Sequence, residues 1–475
     1  MTLSRTRCLS TVLTCLVGAC SVMAAAPASG QPATAGRNDK GSGASTPLPE
    51  FRPSDVRPRH DDKKLAERGI RVFESRRLKL YTDIEARQAE ALPRVIDAAY
   101  DDWTTYFGPL PPNRERTDFQ VTGYLMADKT LFREAGLLPE DLPEFLNGRH
   151  RGAEFWMNQQ KHDYYRRHLL IHEATHCYMT ILGGRLPPLW YVEGMAELFG
   201  THHIAANGKI TFRTFPQRAA DYAGHGRITI IRDEIAAGRG LTLDAVEALD
   251  GNEFLKNESY GWSWGLCEFL EHHPRWREPF RSLARNFNYR EFDRAYRAAF
   301  DESRNDLRAE WTLFASTIHE GIDFERAAVR FADARPIAAG TSRKTEVRSD
   351  RGWQSTGLML EAGVDYEVTA TGRVTLATTP KPWVSEPQGV TIRYVEGHPT
   401  GQLLGWISSA SSGADRSGPD TETRLRRKLA VIPFGPRTAF RADQSGALLL
   451  RVNDRDSELG DNKGDYQVQL KRSSK

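Results

Sequence analysis

The chain has 475 residues and a formal net charge of +3, from 65 basic and 62 acidic residues. That near-balance leaves no electrostatic footprint for nucleic acid or an acidic lipid surface. With 39% hydrophobic and 27% charged residues, the composition is that of a globular protein of two or three folded units and excludes a disordered, collagen-like or membrane-embedded chain.

Residues 1–26 read as an export signal. Arg5 and Arg7 precede an apolar run from Cys8 to about Ala19 that is too short to span a bilayer. Two endings compete. Ala24-Ala25-Ala26 is a small-residue cleavage site, and Val17-Gly18-Ala19-Cys20 is similar to a bacterial lipobox, in which Cys20 would carry the lipid. The protein is expected to be exported: periplasmic, extracellular, or tethered at the cell surface with a lipid anchor as its one membrane contact. Residues 27–60 are rich in Ala, Gly, Ser, Pro and charge, lack apolar periodicity, and are expected to form a flexible tether. Cys177 and Cys267 stay in the mature chain and are expected as two buried free thiols rather than a disulfide framework.

From about Lys64 the pattern becomes globular. Leu78, Leu80 and Thr82 alternate with Lys79, Tyr81 and Asp83, which predicts a strand. Residues 86–107 predict one helix ending before Gly108, residues 119–125 and 153–158 two more strands, and helical signals dominate from about 162 to 318. A few strands followed by helices is an α+β order. Beyond about residue 335 the period becomes two, in Tyr366, Val368 and Ala370, in Val390, Ile392 and Tyr394, in Leu448, Leu450 and Val452, and in Tyr466, Val468 and Leu470. Gly and Pro clusters separate these runs, as in an antiparallel β-sandwich or jelly roll. The expected division is one α+β unit over 61–335 and an all-β unit over 336–475, with Ser408 to Thr423 a polar insert between strands.

The segment His162 to Leu182 predicts a helix that carries His172-Glu173-Ala174-Thr175-His176. Residues four apart share a helix face, so two imidazoles can be directed at one ion while Glu173, offset by one residue, reaches a water on that ion. After Gly183-Gly184 and Pro187-Pro188, a second helix, Leu189 to Phe199, carries Glu193 and Glu197, again four apart. Tetrahedral catalytic zinc takes a third protein ligand and keeps its fourth position for water. A carboxylate on an antiparallel second helix can supply that ligand, and Glu197, one turn on, suits an acceptor for the outer N–H of a ligating histidine. The competing readings are a helix with two unrelated histidines and, for Glu197, an exposed carboxylate.

The stretch HEATHCYM…LPPLWYVEGMAELF resembles the gluzincin metallopeptidases, in which HExxH is followed by a helical E-x-x-x-E, and more narrowly a peptidase-MA-like group of uncharacterised bacterial proteins. The resemblance covers about residues 75–315. It implies a zincin-like catalytic domain with a mixed sheet and active-site helices, zinc held by His172, His176 and Glu193, Glu173 as catalytic base, and a peptide or protein substrate. Sixteen residues separate His176 from Glu193, slightly fewer than in the best-known gluzincins. In the aminopeptidase branch a tyrosine at a similar distance beyond the ligand Glu stabilises the oxyanion, and Tyr260 fits that place; the other reading is a core tyrosine on an amphipathic helix. Arg151 to Phe155 is expected as the edge strand along which an extended substrate lies. His202 and His203 follow the second helix and are expected at the surface; the other reading places them along the cleft.

Between Leu450 and Tyr466, several oxygen-bearing side chains fall in one turn, a supply suited to a hard cation such as calcium. The turn resembles the calcium loop of the galactophilic bacterial lectin fold over about residues 350–472. That likeness implies Asp454, Asp461 and Asn462 as side-chain ligands and Glu458 as a carbonyl ligand; a glycan ligand does not follow from it, and an acidic turn with structural calcium, or with none, is the other reading. The leading expectation is an exported zinc metallopeptidase with an accessory β-sandwich. The alternatives are a non-catalytic or carbohydrate-binding cell-surface protein on a peptidase-like scaffold, and a zinc amidase acting on cell-wall material.

Overall fold

The computed structural model describes residues 51–52, 57–182, 186–285, 289–379, 381–408, 424–425 and 428–474. The export segment, the lipobox, most of the tether and residues 409–423 of the polar insert lie outside the described residues. The described end of the tether is not free. Arg52 is buried and donates to the carbonyls of Pro111 and Thr117, and His60 Nε2 lies 2.8 Å from the Tyr124 hydroxyl.

The protein is mixed α+β. Its first sheet contains β1 (Arg71–Glu74), β2 (Leu78–Thr82), β3 (Val121–Met126), β4 (Gly148–Arg151) and β5 (Glu154–Asn158), in the order β1-β2-β3-β5-β4. The three inner strands run parallel, and β1 and β4 are antiparallel edges. β3 is buried throughout, as a strand covered on both faces must be. Helices α1 (Asp62–Glu67), α2 (Ala86–Ala89), α3 (Leu92–Phe107) and α4 (Lys129–Glu134) are interleaved with these strands. The single helix expected over 86–107 is two. Pro93 stands in the first turn of α3, where its missing N–H costs nothing, whereas inside one continuous helix it would remove a hydrogen bond.

The edge strand also differs from expectation. It is Gly148–Arg151, and the strand over Glu154–Asn158 lies one place inward. The sequence Gly-Arg-His-Arg has no apolar alternation to announce a strand; backbone pairing with β5 makes it one.

From residue 163 the chain is helical: α5 (Asp163–Leu182), α6 (Leu189–Gly200), α7 (Arg227–Ala236), α8 (Leu243–Glu247), α9 (Asn257–His272), α10 (Arg277–Ser282), α11 (Tyr289–Phe300), α12 (Arg304–Thr317) and α13 (Phe324–Ala327). α5 and α6 are buried on nearly every side, packed with α3, α9 and the sheet. Gly194 allows α6 to approach α9 closely, since a Cβ there would meet Cys267 Sγ at 2.5 Å and the Ser263 carbonyl oxygen at 2.6 Å. Both Cys177 and Cys267 are buried free thiols, as expected. Among the described residues, no helix is long and apolar enough to cross a membrane.

Beyond residue 335 the structure is strands. One sheet has the order Val431–Pro433, Leu403–Ser408, Gly446–Val452, Gln354–Leu360, Arg335–Pro336. The other has Trp383–Ser385, Val374–Ala377, Lys463–Arg472, Asp365–Thr371, Arg437–Arg441, with Ser342–Arg348 also paired to Lys463–Arg472. Side chains of both sheets, among them Leu358, Tyr366, Val368, Leu448, Leu450 and Val468, share one core. The run over 390–394 behaves differently. Val390–Val395 forms a two-stranded ribbon with His398–Thr400, and Ile392 and Tyr394 are 76% and 55% exposed, so their alternation faces solvent. A further apolar cluster joins Ala309 and Leu313 of α12 to Trp353, Leu404 and Trp406.

Candidate metal centre

α5 presents His168, His172 and His176 at four-residue spacing, hence along one face. α6 packs beside it and presents Glu193 and Glu197 in the same way. The result is a buried constellation. His172 Nε2 and His176 Nε2 are 3.1 Å apart, and Glu193 Oε2 lies 3.1 Å from His176 Nε2 and 3.6 Å from His172 Nε2. Ligand atoms around a tetrahedral ion with bonds of about 2.0–2.1 Å stand about 3.3–3.4 Å apart, so these edges and this N/N/O donor set fit zinc. The three ligand atoms lie close enough together to share one cation.

The surroundings are arranged around this triangle. Glu197 Oε1 lies 3.3 Å from His172 Nδ1 and Glu197 Oε2 lies 3.1 Å from His168 Nε2. Arg227, the first residue of α7, forks onto the same carboxylate, with Nε 2.8 Å from Oε2 and Nη2 2.7 Å from Oε1. Glu173 is buried beside the triangle. The backbone of edge strand β4 runs against it: a Cβ on Gly148 would stand 2.4 Å from Glu173 Oε1. His150, also on β4, stacks on His176 with ring centroids 4.6 Å apart and places Nδ1 3.9 Å from Glu173 Oε2. Tyr260, near the start of α9, has its ring 6.2 Å from that of His172. A cavity of about 420 Å³ opens onto the site, lined by Arg149, Leu169, Glu173, Phe254, Tyr260 and the triangle itself.

Burial and charge set the acidities. Burial pushes the Glu173 carboxyl up to about 8, with His176 pulling the other way. Burial raises Glu193 too, but the two imidazoles outweigh it and hold the carboxyl below its usual range. For Glu197 burial is likewise outweighed, chiefly by Arg227 and then by His168, and the group lies well below that range.

The residues expected from the sequence, His172, Glu173, His176, Glu193, Glu197 and Tyr260, are thus brought together in one site. His168, not among the expected site residues, continues the four-residue spacing of His172 and His176. Arg149, His150 and Arg227 carry no local pattern that points to the site. His202 is a correction: it is buried, stacked on Tyr164 at 4.8 Å, with Nδ1 2.7 Å from the Gly200 carbonyl oxygen. It begins a short hairpin of His202–Ile204 with Ile210–Phe212, in which the next residue, His203, is exposed.

The acidic turn near the C-terminus is assembled in part. Asp454 and Asn462 are buried, and Asn462 Nδ2 donates to Asp454 Oδ2 at 3.1 Å. Burial raises Asp454 to about 6. The Glu458 carboxylate is turned to Arg393, and the Asp461 side chain is exposed. Among the described residues, the groups of three or more His, Cys, Asp or Glu able to share an ion are His172-His176-Glu193 and His168-His172-Glu197, neither in this turn.

No protein-family model and no curated protein matches the chain. The gluzincin resemblance therefore stands on its motif residues. Among solved structures the chain is similar to "EclA N-terminal domain; PllA-like lectin", at 18% identity over 27% of this chain and 95% of that one, with a TM-score of 0.20. It is also similar to the structure of IMPa from Pseudomonas aeruginosa in complex with an O-glycopeptide, at 12% identity over 54% of this chain, with a TM-score of 0.17. The match spans 24% of the IMPa chain. Likenesses of this strength establish neither a shared fold nor a shared activity.

Proposed function

We propose that the protein is an exported zinc-dependent metallopeptidase, built as a zincin-like domain over 61–335 with an accessory β-sandwich over 336–475. What carries the reading is the convergence of two imidazole nitrogens and one carboxylate oxygen at 3.1–3.6 Å beside a buried carboxyl group, Glu173. His172, His176 and Glu193 would hold the ion. Zinc supplies Lewis acidity, polarising a carbonyl and easing deprotonation of water. Glu173 takes the proton from water and delivers it to the leaving amine. Tyr260 donates to the oxygen that gains charge. The cavity wall between β4 and α9 receives the substrate, and β4, as an open strand edge, can pair with an extended peptide.

The test is metal analysis combined with proteome-wide cleavage profiling of wild type and Glu173→Gln. Bound zinc with cleavage in the wild type, and zinc without cleavage in the variant, is the expected result. Equal cleavage by both would remove Glu173 from the reaction. An accessory calcium ion at Asp454 and Asn462 is supported by the burial of both side chains and by a buried Asn462 Oδ1 with no hydrogen-bond partner.

A further inference from the structure

The site holds a second group of potential ligands, His168, His172 and Glu197, which shares His172 with the first. We infer that Arg227 fills the place of a second cation there and acts as the positioning residue of the metal centre, fixing Glu197 so that His172 presents Nε2 to a single zinc ion. The inference rests on the zinc reading above.

The geometry is close to saturated. Each Glu197 oxygen faces one N–H of Arg227 and one imidazole: Oε1 has Nη2 at 2.7 Å and His172 Nδ1 at 3.3 Å, and Oε2 has Nε at 2.8 Å and His168 Nε2 at 3.1 Å. All four residues are at least nine-tenths buried. A two-pronged guanidinium–carboxylate pair is planar and fixes the carboxylate's rotation, which a single-point cation does not. Glu197 Oε1 lies 3.3 Å from His172 Nδ1, so the fixed carboxylate occupies the far side of that ring and leaves Nε2 facing the triangle. A second metal ion at Glu197 would have to displace the guanidinium. The third arm of Arg227, Nη1, donates to Asn257 Oδ1 at 2.7 Å. Asn257 begins α9, the helix that carries Tyr260 three residues later. One side chain therefore ties the ligand helix pair to the helix of the oxyanion donor.

The experiment uses the full chain, with zinc affinity measured by chelator competition, metal stoichiometry by mass spectrometry, and the absorption spectrum of the cobalt-substituted protein. Wild type is expected to bind one zinc ion. Arg227→Ala should bind zinc about 10–100-fold more weakly, as measured for losses of outer-sphere partners, with a shifted cobalt spectrum. Added guanidinium ion should restore part of the affinity. Arg227→Lys keeps the charge, guards against a folding defect, and should fall between the two because it engages the carboxylate at one point. Unchanged affinity and spectrum in both variants, or two zinc ions in the wild type, would overturn the inference alone. A wild-type chain that binds no zinc would overturn the zinc reading and this inference with it.

Discussion

Gly148→Ala tests the geometry around Glu173 without touching a ligand. Gly148 opens β4 in an extended conformation that alanine adopts freely, so the substitution carries no backbone strain. Its new Cβ would stand 2.4 Å from Glu173 Oε1 and 2.9 Å from Cδ, whereas ordinary contact begins at 3.4 Å. The carboxyl group must therefore retreat by 3.4 − 2.4 = 1.0 Å. Glu173 is buried beside His150, and rotating it off its preferred rotamer would cost about 0.5–1.5 kcal/mol. A displacement of about 1 Å at a reacting group can cost about 10²-fold in rate, about 2.7 kcal/mol of barrier. Zinc content, melting temperature and peptide-cleavage rate should be measured on one preparation. The expected result is full zinc occupancy, a melting temperature close to wild type, and a rate lowered about 10²-fold. Wild-type cleavage by a zinc-loaded variant would refute the reasoning, because the base would then tolerate a displacement that the proposed reaction forbids.

Tyr260→Phe should keep zinc and lose about 10²-fold in kcat, the usual loss of an oxyanion donor; unchanged turnover would return Tyr260 to the core. His202 gives a pH test. Burial lowers it from 6.5 to about 3, so the unfolded chain binds a proton near pH 6.5 that the folded chain refuses. Its contribution to stability is full above pH 6.5 and is lost as pH falls toward 3, at up to about 1.4 kcal/mol per pH unit. His202→Gln should flatten the acid limb of a denaturation-versus-pH curve by that amount, and parallel limbs would contradict it. Glu310 is buried, accepts hydrogen bonds from Trp276 Nε1 at 2.6 Å and the Val329 backbone N–H at 2.8 Å, and lies 2.8 Å from His273 Nε2. Glu310→Ala strands all three donors and should cost about 3–5 kcal/mol, read as a lowered thermal or urea midpoint; an unmoved midpoint would show that water replaces the carboxylate. A calcium chelator should lower the melting temperature of the full chain, and no shift would remove calcium from the Asp454 turn.

Apolar patterning made the inner strands and the two motif helices legible, because elements bound for the interior display their burial in residue type. Leu78 to Thr82, α5 and α6 lie where their patterns place them. The alternation of Val390, Ile392 and Tyr394 shows the limit of that signal. It marks a strand, but whether a core covers the strand depends on a second sheet that local sequence does not encode. β4 shows the converse, a strand with no pattern of its own that exists because β5 offers it hydrogen bonds. His202 is a related case: a lone histidine carries no sign of whether it is stacked in a hairpin or exposed.

The sequence alone determined which side chains can meet on one helix face, since four-residue spacing on α5 and α6 follows from helix geometry whatever the rest of the chain does. That was enough to pair His172 with His176, and Glu193 with Glu197. Only the tertiary structure decided how close the two pairs come, which strand passes over Glu173, and that Arg227 reaches Glu197 from 30 residues further on. These are contacts between different elements of the fold. Their distances follow from packing, with Gly148, Gly194 and Gly200 leaving room for the Glu173 carboxyl group, helix α9 and the His168 imidazole, and no local spacing rule reports on packing.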